Sequence, residues 1–161
     1  MPNSKQAEDY NRYLLISGFS GAISAAIKTS VSAVFFYSGL SDWLTLIDAG
    51  SVIYRTTNFP LDFPHLLLAM ISHVLWGSIL AVGLGFLYYL VGRKNYLLIG
   101  GVYGFFIWIT VLNFLSTISS QEELPALDAS SVAVSLTAHI FWGLLTGFLI
   151  IKLLSRSEHK R

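Results

Sequence analysis

Lys28, His73 and His139 are ionisable side chains set inside long apolar runs, which makes them the residues of this chain most able to do chemistry. A neutral imidazole accepts a proton or hydrogen bond on one nitrogen and donates from the other, so it suits proton relay as well as helix adhesion. An ionised amine near mid-bilayer costs roughly 2.5 to 3.5 kcal/mol on insertion scales unless it meets water or a partner. Three outcomes are open for Lys28. Its stem reaches out toward Asp42, Asp48 or lipid headgroups while the histidines make plain interhelical hydrogen bonds. Or it shares a hydrated, pH-responsive pocket with His73 and His139. Or, with Trp43 and Arg55, it holds a lipid headgroup or anion at the outer leaflet.

The residues around these three have a pattern. Ser17, Gly21, Ser24, Lys28 and Ser32 recur at helical spacing, which puts the amine on a small, polar face that meets other helices rather than lipid. Trp76 and Trp142 each follow a histidine by three residues and share its face, as pocket walls or as ordinary core. Thr110 and Asn113 are candidate polar contributors from a further run. Counted from the nearer ends of their runs, Lys28, His73 and His139 all lie roughly 10 to 14 Å deep, at 1.5 Å per residue. His65 and His73 stand about two turns apart, too far to share one ion, so no metal site is expected. No nucleophile beside a base, His-Glu-x-x-His, phosphate-cradling glycine loop or paired intramembrane carboxylate is present in the sequence, and neither an enzyme nor a cofactor is expected.

The elements that must position these residues are four apolar runs, 14–37, 64–91, 96–117 and 132–154. Each reaches the roughly 20 residues that cross a hydrocarbon core, and the alternation of a membrane barrel is absent. The expected fold is all-α, a single integral membrane domain of four transmembrane helices. The composition agrees: of 161 residues 54% are hydrophobic and only 12% charged, with a mean hydropathy of +0.64. A net charge of +1 gives no basic surplus for nucleic acid. Segment 38–63 is apolar enough to lie at the interface, with Ser41 or Asp42 capping a short helix that ends at Gly50 and Trp43 and Tyr54 as belt residues. The turn Gly92-Arg93-Lys94-Asn95 is so short that the runs it joins are expected to be antiparallel neighbours.

Orientation follows the basic residues. Lys5, Arg12, Arg93, Lys94, Lys152, Arg156, Lys160 and Arg161 fall on one side, whereas Arg55 stands alone on the other with Asp42, Asp48, Asp62, Glu122, Glu123 and Asp128. Both termini are therefore expected in the cytoplasm, the first run being an uncleaved anchor.

The two halves echo each other. Ser72-His73-Val74-Leu75-Trp76-Gly77 matches Ala138-His139-Ile140-Phe141-Trp142-Gly143 at an offset of 66 residues. Steps of four extend this to Ala69, His73, Gly77, Ala81, Gly85 and to Ser131, Ser135, His139, Gly143, Gly147, while Gly18 to Gly21 more faintly echoes Gly101 to Gly104. Small residues at that spacing let backbones approach closely, so Gly21, Gly77, Gly85, Gly104, Gly143 and Gly147 are the expected packing positions. Two copies of a helical hairpin that both start and end on the same side form a parallel repeat.

The run Gly18-Phe19-Ser20-Gly21-Ala22-Ile23-Ser24-Ala25-Ala26-Ile27-Lys28, followed by Asp42-Trp43-Leu44 and by the histidine-bearing second and fourth runs, resembles the YagU-like small bacterial inner-membrane proteins. The YqhR-like membrane proteins are a looser comparison in size and span count. The segment 38–63 is shorter than the YagU-like pattern and lacks its proline-rich stretch. The resemblance implies a polytopic protein of the bacterial inner membrane, from a family without an assigned reaction, with Lys28, His73 and His139 as the positions carried over. The expected role is a stress-related, interaction or assembly protein among membrane lipids, a homo-oligomer through a remaining Gly/Ala face. The alternatives are a small proton-linked channel or transporter and outer-leaflet lipid or anion binding.

Overall fold

A computed structural model describes residues 4–42, 44–54, 59–118 and 129–158, the side chains of 4–7, 111–118 and 158 excepted. Among these residues five helices follow in order: α1 (Ser4–Tyr37), α2 (Thr45–Tyr54), α3 (Phe63–Val91), α4 (Tyr96–Ile118) and α5 (Ala129–Glu158). No strand occurs among the described residues. Three of the helices, over Glu8–Tyr37, Phe63–Val91 and Ala129–Ser157, are long and apolar enough to cross a membrane. They mark the chain as a membrane protein. Leu15, Phe19, Leu75, Ile79 and Phe106 are exposed on its flanks, as side chains that face acyl chains must be.

Each helix boundary has a local cause. Asp62 caps α3 by accepting from the His65 amide, and Pro64 sits in the first turn, where a missing N–H costs nothing. At the other end Gly92 takes φ of 89° and donates its N–H to the Tyr88 carbonyl, a conformation that a side chain would strain. The helix in segment 38–63 differs from expectation. It begins at Thr45 and runs through Gly50 to Tyr54, because Gly50 is buried against the Phe59 ring and serves close packing rather than termination. Ser41 and Asp42 do not cap it; Asp42 N donates to Ser131 Oγ of α5 at 3.2 Å, while Thr45 N donates to Ser32 Oγ of α1 at 2.9 Å. Trp43, Arg55 and the stretch around Glu122, Glu123 and Asp128 lie outside the described residues.

Backbone contact sets the packing order. α1 lies between α3 and α5, and α4 packs on the far side of α5. A Cβ placed on Gly21 would fall 2.5 Å from the Gly77 carbonyl oxygen, and one on Gly100 would fall 2.5 Å from the Gly143 carbonyl oxygen. Gly85 and Gly147 are equally closed, by Ser17 and by the Tyr88 hydroxyl. All six expected packing glycines are buried, and Gly100 joins them.

The turn at 92–95 does not make α3 and α4 close neighbours. Gly77 and Gly85 of α3 face α1, and Gly100, Gly101 and Gly104 of α4 face α5, while Gly83 of α3 makes room for the Tyr103 hydroxyl of α4, so the two helices diverge from the turn and meet chiefly through tyrosines. Tyr88 Oη donates to the Tyr96 carbonyl at 2.7 Å and Tyr103 Oη to the Leu80 carbonyl at 2.8 Å. At the terminal end the bundle closes over Leu84, Tyr88, Ile150 and Leu154. Arg12 donates to the Leu154 carbonyl at 3.0 Å and to Ser157 Oγ, and Arg93 Nε donates to Tyr13 Oη at 2.6 Å. Arg12 thus satisfies a carbonyl near the end of α5, and the two guanidinium groups tie α1 to α5 and to the turn that follows α3.

Candidate functional site

The divergence of α3 from α4 opens a cavity of about 500 Å³ near mid-bundle, roofed by α2 and walled by all five helices. Lys28, His73, His139, Trp76, Trp142 and Thr110 all line it, so six of the seven residues expected in a polar layer meet at one place. The side chain of Asn113, the seventh, lies outside the described residues. Apolar walls come from Ala25, Ala49, Val52, Ile53, Leu80 and Ile107.

At its centre Lys28 Nζ stands 2.8 Å from His139 Nε2. The ring's other nitrogen, Nδ1, lies 2.8 Å from the Ser135 carbonyl oxygen, which can only accept. A neutral His139 therefore carries its proton on Nδ1, and Nε2 offers a lone pair to the amine. Lys28 is 3% exposed and His139 6%. The small face of α1 makes this contact possible, since Ala25 and Ser24 are buried and let α5 approach. Asp48 of α2 also lines the cavity, and its carboxylate acts electrostatically on the Lys28 amine. The reach toward Asp48 and the shared site with the histidines are thus features of one arrangement. His73 lies near enough to feel both Lys28 and His139, and its Nε2 is buried with no hydrogen-bond partner among the described residues.

The two tryptophans are not equivalent. Trp142 is buried beside Ala25 and Ala81, with Nε1 lacking a hydrogen-bond partner among the described residues, whereas Trp76 is 52% exposed and forms part of the rim. Thr110 is exposed and spends its hydroxyl on the Phe106 carbonyl of its own helix, at 2.9 Å. Thr45 presents a buried Oγ1 that also lacks a partner among the described residues. No family model, curated protein or solved structure matches this chain.

Two features escape a reading of the sequence. Thr45 lines the site with its amide held by Ser32 Oγ of α1. The second feature is a row of hydroxyls. Ser24, Ser20 and Ser17 lie about 6, 12 and 16 Å along α1 from Lys28, toward the terminal end, and all three are fully buried. Thr146 of α5 is also fully buried and, two turns beyond His139, falls near the level of Ser20. Among the described residues the hydroxyls of Ser20, Ser24 and Thr146 have no hydrogen-bond partner, while Ser17 Oγ donates to the Tyr13 carbonyl at 2.6 Å. Buried hydroxyls without protein partners are the places where a bundle holds water.

His65 stands apart from this site. Its Nδ1 is 2.6 Å from Asp62 Oδ1 at the exposed start of α3, and its ring lies beside those of Tyr54 and Phe59. The hydrogen bond from His65 holds the Asp62 carboxyl below its usual value of 3.8. A depressed carboxylate adds stability that is present above its unfolded pKa and is lost as pH falls through the lower folded one. Below about pH 4, the protection factors of the first-turn amides of α3, taken relative to the intrinsic exchange rate at the same pH, should therefore fall. Asp62→Ala should reproduce this at neutral pH by about threefold to tenfold, read by hydrogen exchange. Unchanged protection would show that the cap is not stabilising.

Proposed function

We propose that this chain is a four-span, non-enzymatic protein of the bacterial cytoplasmic membrane, with both termini in the cytoplasm, acting as a small proton-linked channel or transporter. The observation that carries the reading is the 2.8 Å contact of Lys28 Nζ with His139 Nε2 on the wall of a cavity that also holds His73 and Asp48. Intramembrane ionisable residues that face a cavity are typical working parts of proton pathways. A contact in which an amine donates to an imidazole lone pair is one along which a proton can pass. The buried hydroxyls from Ser24 to Ser17 continue the route toward the terminal end.

The fourth span is α4, whose 23 residues measure about 34 Å. The repeat reading pairs α1 with α3 and α4 with α5, and it is supported by the like contacts of Gly21 with Gly77 and Gly104 with Gly143. The YagU-like resemblance agrees with membrane and span count and supplies no reaction. Membrane lipids are its surroundings in this reading.

Vesicles containing the protein and a trapped pH dye test it. After an acid step outside, wild type should collapse the gradient about tenfold faster than protein-free vesicles, and His73→Ala combined with His139→Ala should return to the protein-free rate. Ser20→Ala with Ser24→Ala should slow the rate severalfold without loss of fold. Equal rates for wild type and the double histidine variant would overturn the reading.

A further inference from the structure

We propose that the cavity binds an amphipathic carboxylic acid, the carboxyl group taken by Lys28 Nζ, Trp142 Nε1 and Thr45 Oγ1 and the apolar body lying against Leu80, Ile107 and Val52. This rests on the proton-linked reading and names its substrate class. A volume of about 500 Å³ lies in the roughly 300–1,000 Å³ range of small-molecule sites. Its composition is also that of such a site, with apolar walls and a few polar side chains among its lining residues.

The polar atoms select the head group. An indole N–H can only donate, and Trp142 Nε1 is buried without a partner among the described residues, on a side chain 3% exposed. Thr45 is 2% exposed and its hydroxyl is orphaned in the same way. Such groups are costly to bury unless something satisfies them. With the Lys28 amine they form a donor set, which calls for an acceptor. A carboxyl group supplies two oxygens, whereas inorganic phosphate or sulfate would turn further oxygens toward leucine, valine and isoleucine and leave them unsatisfied.

Charge then fixes the proton. The ionisable groups facing the cavity are Lys28 from α1, Asp48 from α2, His73 from α3 and His139 from α5; α4 contributes Ile107 and Thr110 and, among the described residues, no ionisable side chain. One amine and one carboxylate balance. An entering carboxylate adds a second negative charge, and the least costly compensation is a proton on an imidazole, for which His73 Nε2 is unpartnered among the described residues. The complex thus holds one proton more than its free components, and affinity rises as pH falls.

The test uses the full chain in nanodiscs, with Trp43, Trp76 and Trp108 replaced by phenylalanine so that Trp142 is the sole tryptophan and is excited selectively at the red edge of indole absorption. The probe is 2-bromoundecanoic acid, whose bromine stands beside the carboxyl group and quenches indole on contact. Saturable quenching should appear and tighten by about threefold or more between pH 7.5 and 6.5, with unbrominated undecanoic acid competing. Bromoundecanol should bind about tenfold more weakly and show no pH dependence. Lys28→Met should weaken the acid by about tenfold, and Thr45→Val gives a milder second variant should Lys28→Met fail to fold. Quenching that never saturates, or is equal for acid and alcohol, would overturn the proposal. So would stronger competition by dodecyl phosphate, which would assign the site to a phosphate head group. Proton flux in vesicles with no saturable quenching would sink the substrate class alone. Saturable quenching that does not respond to pH would sink the proton linkage.

Discussion

Gly143→Leu is expected to separate α4 from α5 and to lower the stability of the whole bundle by about 3 kcal/mol or more, at or beyond the upper end of ordinary overpacking. A Cβ at this position already presses on the Gly100 carbonyl and comes 3.0 Å from the Gly104 Cα. Both are backbone atoms of a helix, so neither yields as a side-chain tip would. The added leucine must push the helix axes apart, and that removes dispersion contacts along the full seam, the main source of helix association in lipid. His139 lies one turn away on the same seam, so the variant should also lose the Lys28 contact and any proton flux. Gly18→Ala is the control. Its Cβ would meet only Val82 Cγ2, at an ordinary 3.7 Å, and should be neutral or stabilising by up to about 1 kcal/mol from helix propensity. Unfolding in mixed micelles, followed by circular dichroism, measures both. A Gly143→Leu protein within about 0.5 kcal/mol of wild type, the scatter of a neutral substitution, would show that the α4–α5 seam is not a backbone contact.

This seam shows which parts of the fold can be read from residues alone. Spacing of four among Ala69, Gly77, Ala81 and Gly85, and among Ser131, Ser135, Gly143 and Gly147, is legible because a helix turns those positions to one side and only a close neighbour requires them small. All of them are buried. The neighbour's identity is not legible in the same way. A short turn between α3 and α4 suggests that they pack together, yet Gly77 and Gly85 point to α1, Gly100 and Gly104 point to α5, and the tyrosines prop the pair apart. That divergence creates the cavity, and so the site depends on a packing choice that no local motif records. Trp76 and Trp142 illustrate the same limit: the shared His-x-x-Trp-Gly pattern places one on the rim and the other in the core, because Trp142 is on α5, which packs between α1 and α4. Asp48 is legible as a partner for Lys28, but its route is not, since it depends on α2 being folded over the bundle by Thr45, Ser32, Asp42 and Ser131.

The Lys28–His139 pair gives the second large effect, one that separates holding the bundle together from carrying protons. His139→Leu leaves the buried amine facing an apolar side chain where a lone pair had been, and should cost about 1 to 3 kcal/mol, with Asp48 as the remaining electrostatic partner. Lys28→Met should cost less, because what it strands is a neutral imidazole nitrogen rather than a cationic group. Combining the two removes both polar groups and fills the space with apolar volume, so the double variant should be more stable than His139→Leu alone. The coupling read from the four proteins should be about 1 kcal/mol or more. Asp48 then loses its cation, but it sits half-buried on α2 and can be hydrated, which keeps that loss small. If the double variant is destabilised by the plain sum of the singles, the two side chains do not interact and the centre of the site is wrongly drawn. If it is stable and still collapses a pH gradient at the wild-type rate, the pair is structural adhesion and the proton route lies elsewhere. A stable double variant without flux is the expected result, because an apolar pair can replace the packing of an amine and an imidazole but neither methionine nor leucine can take up a proton.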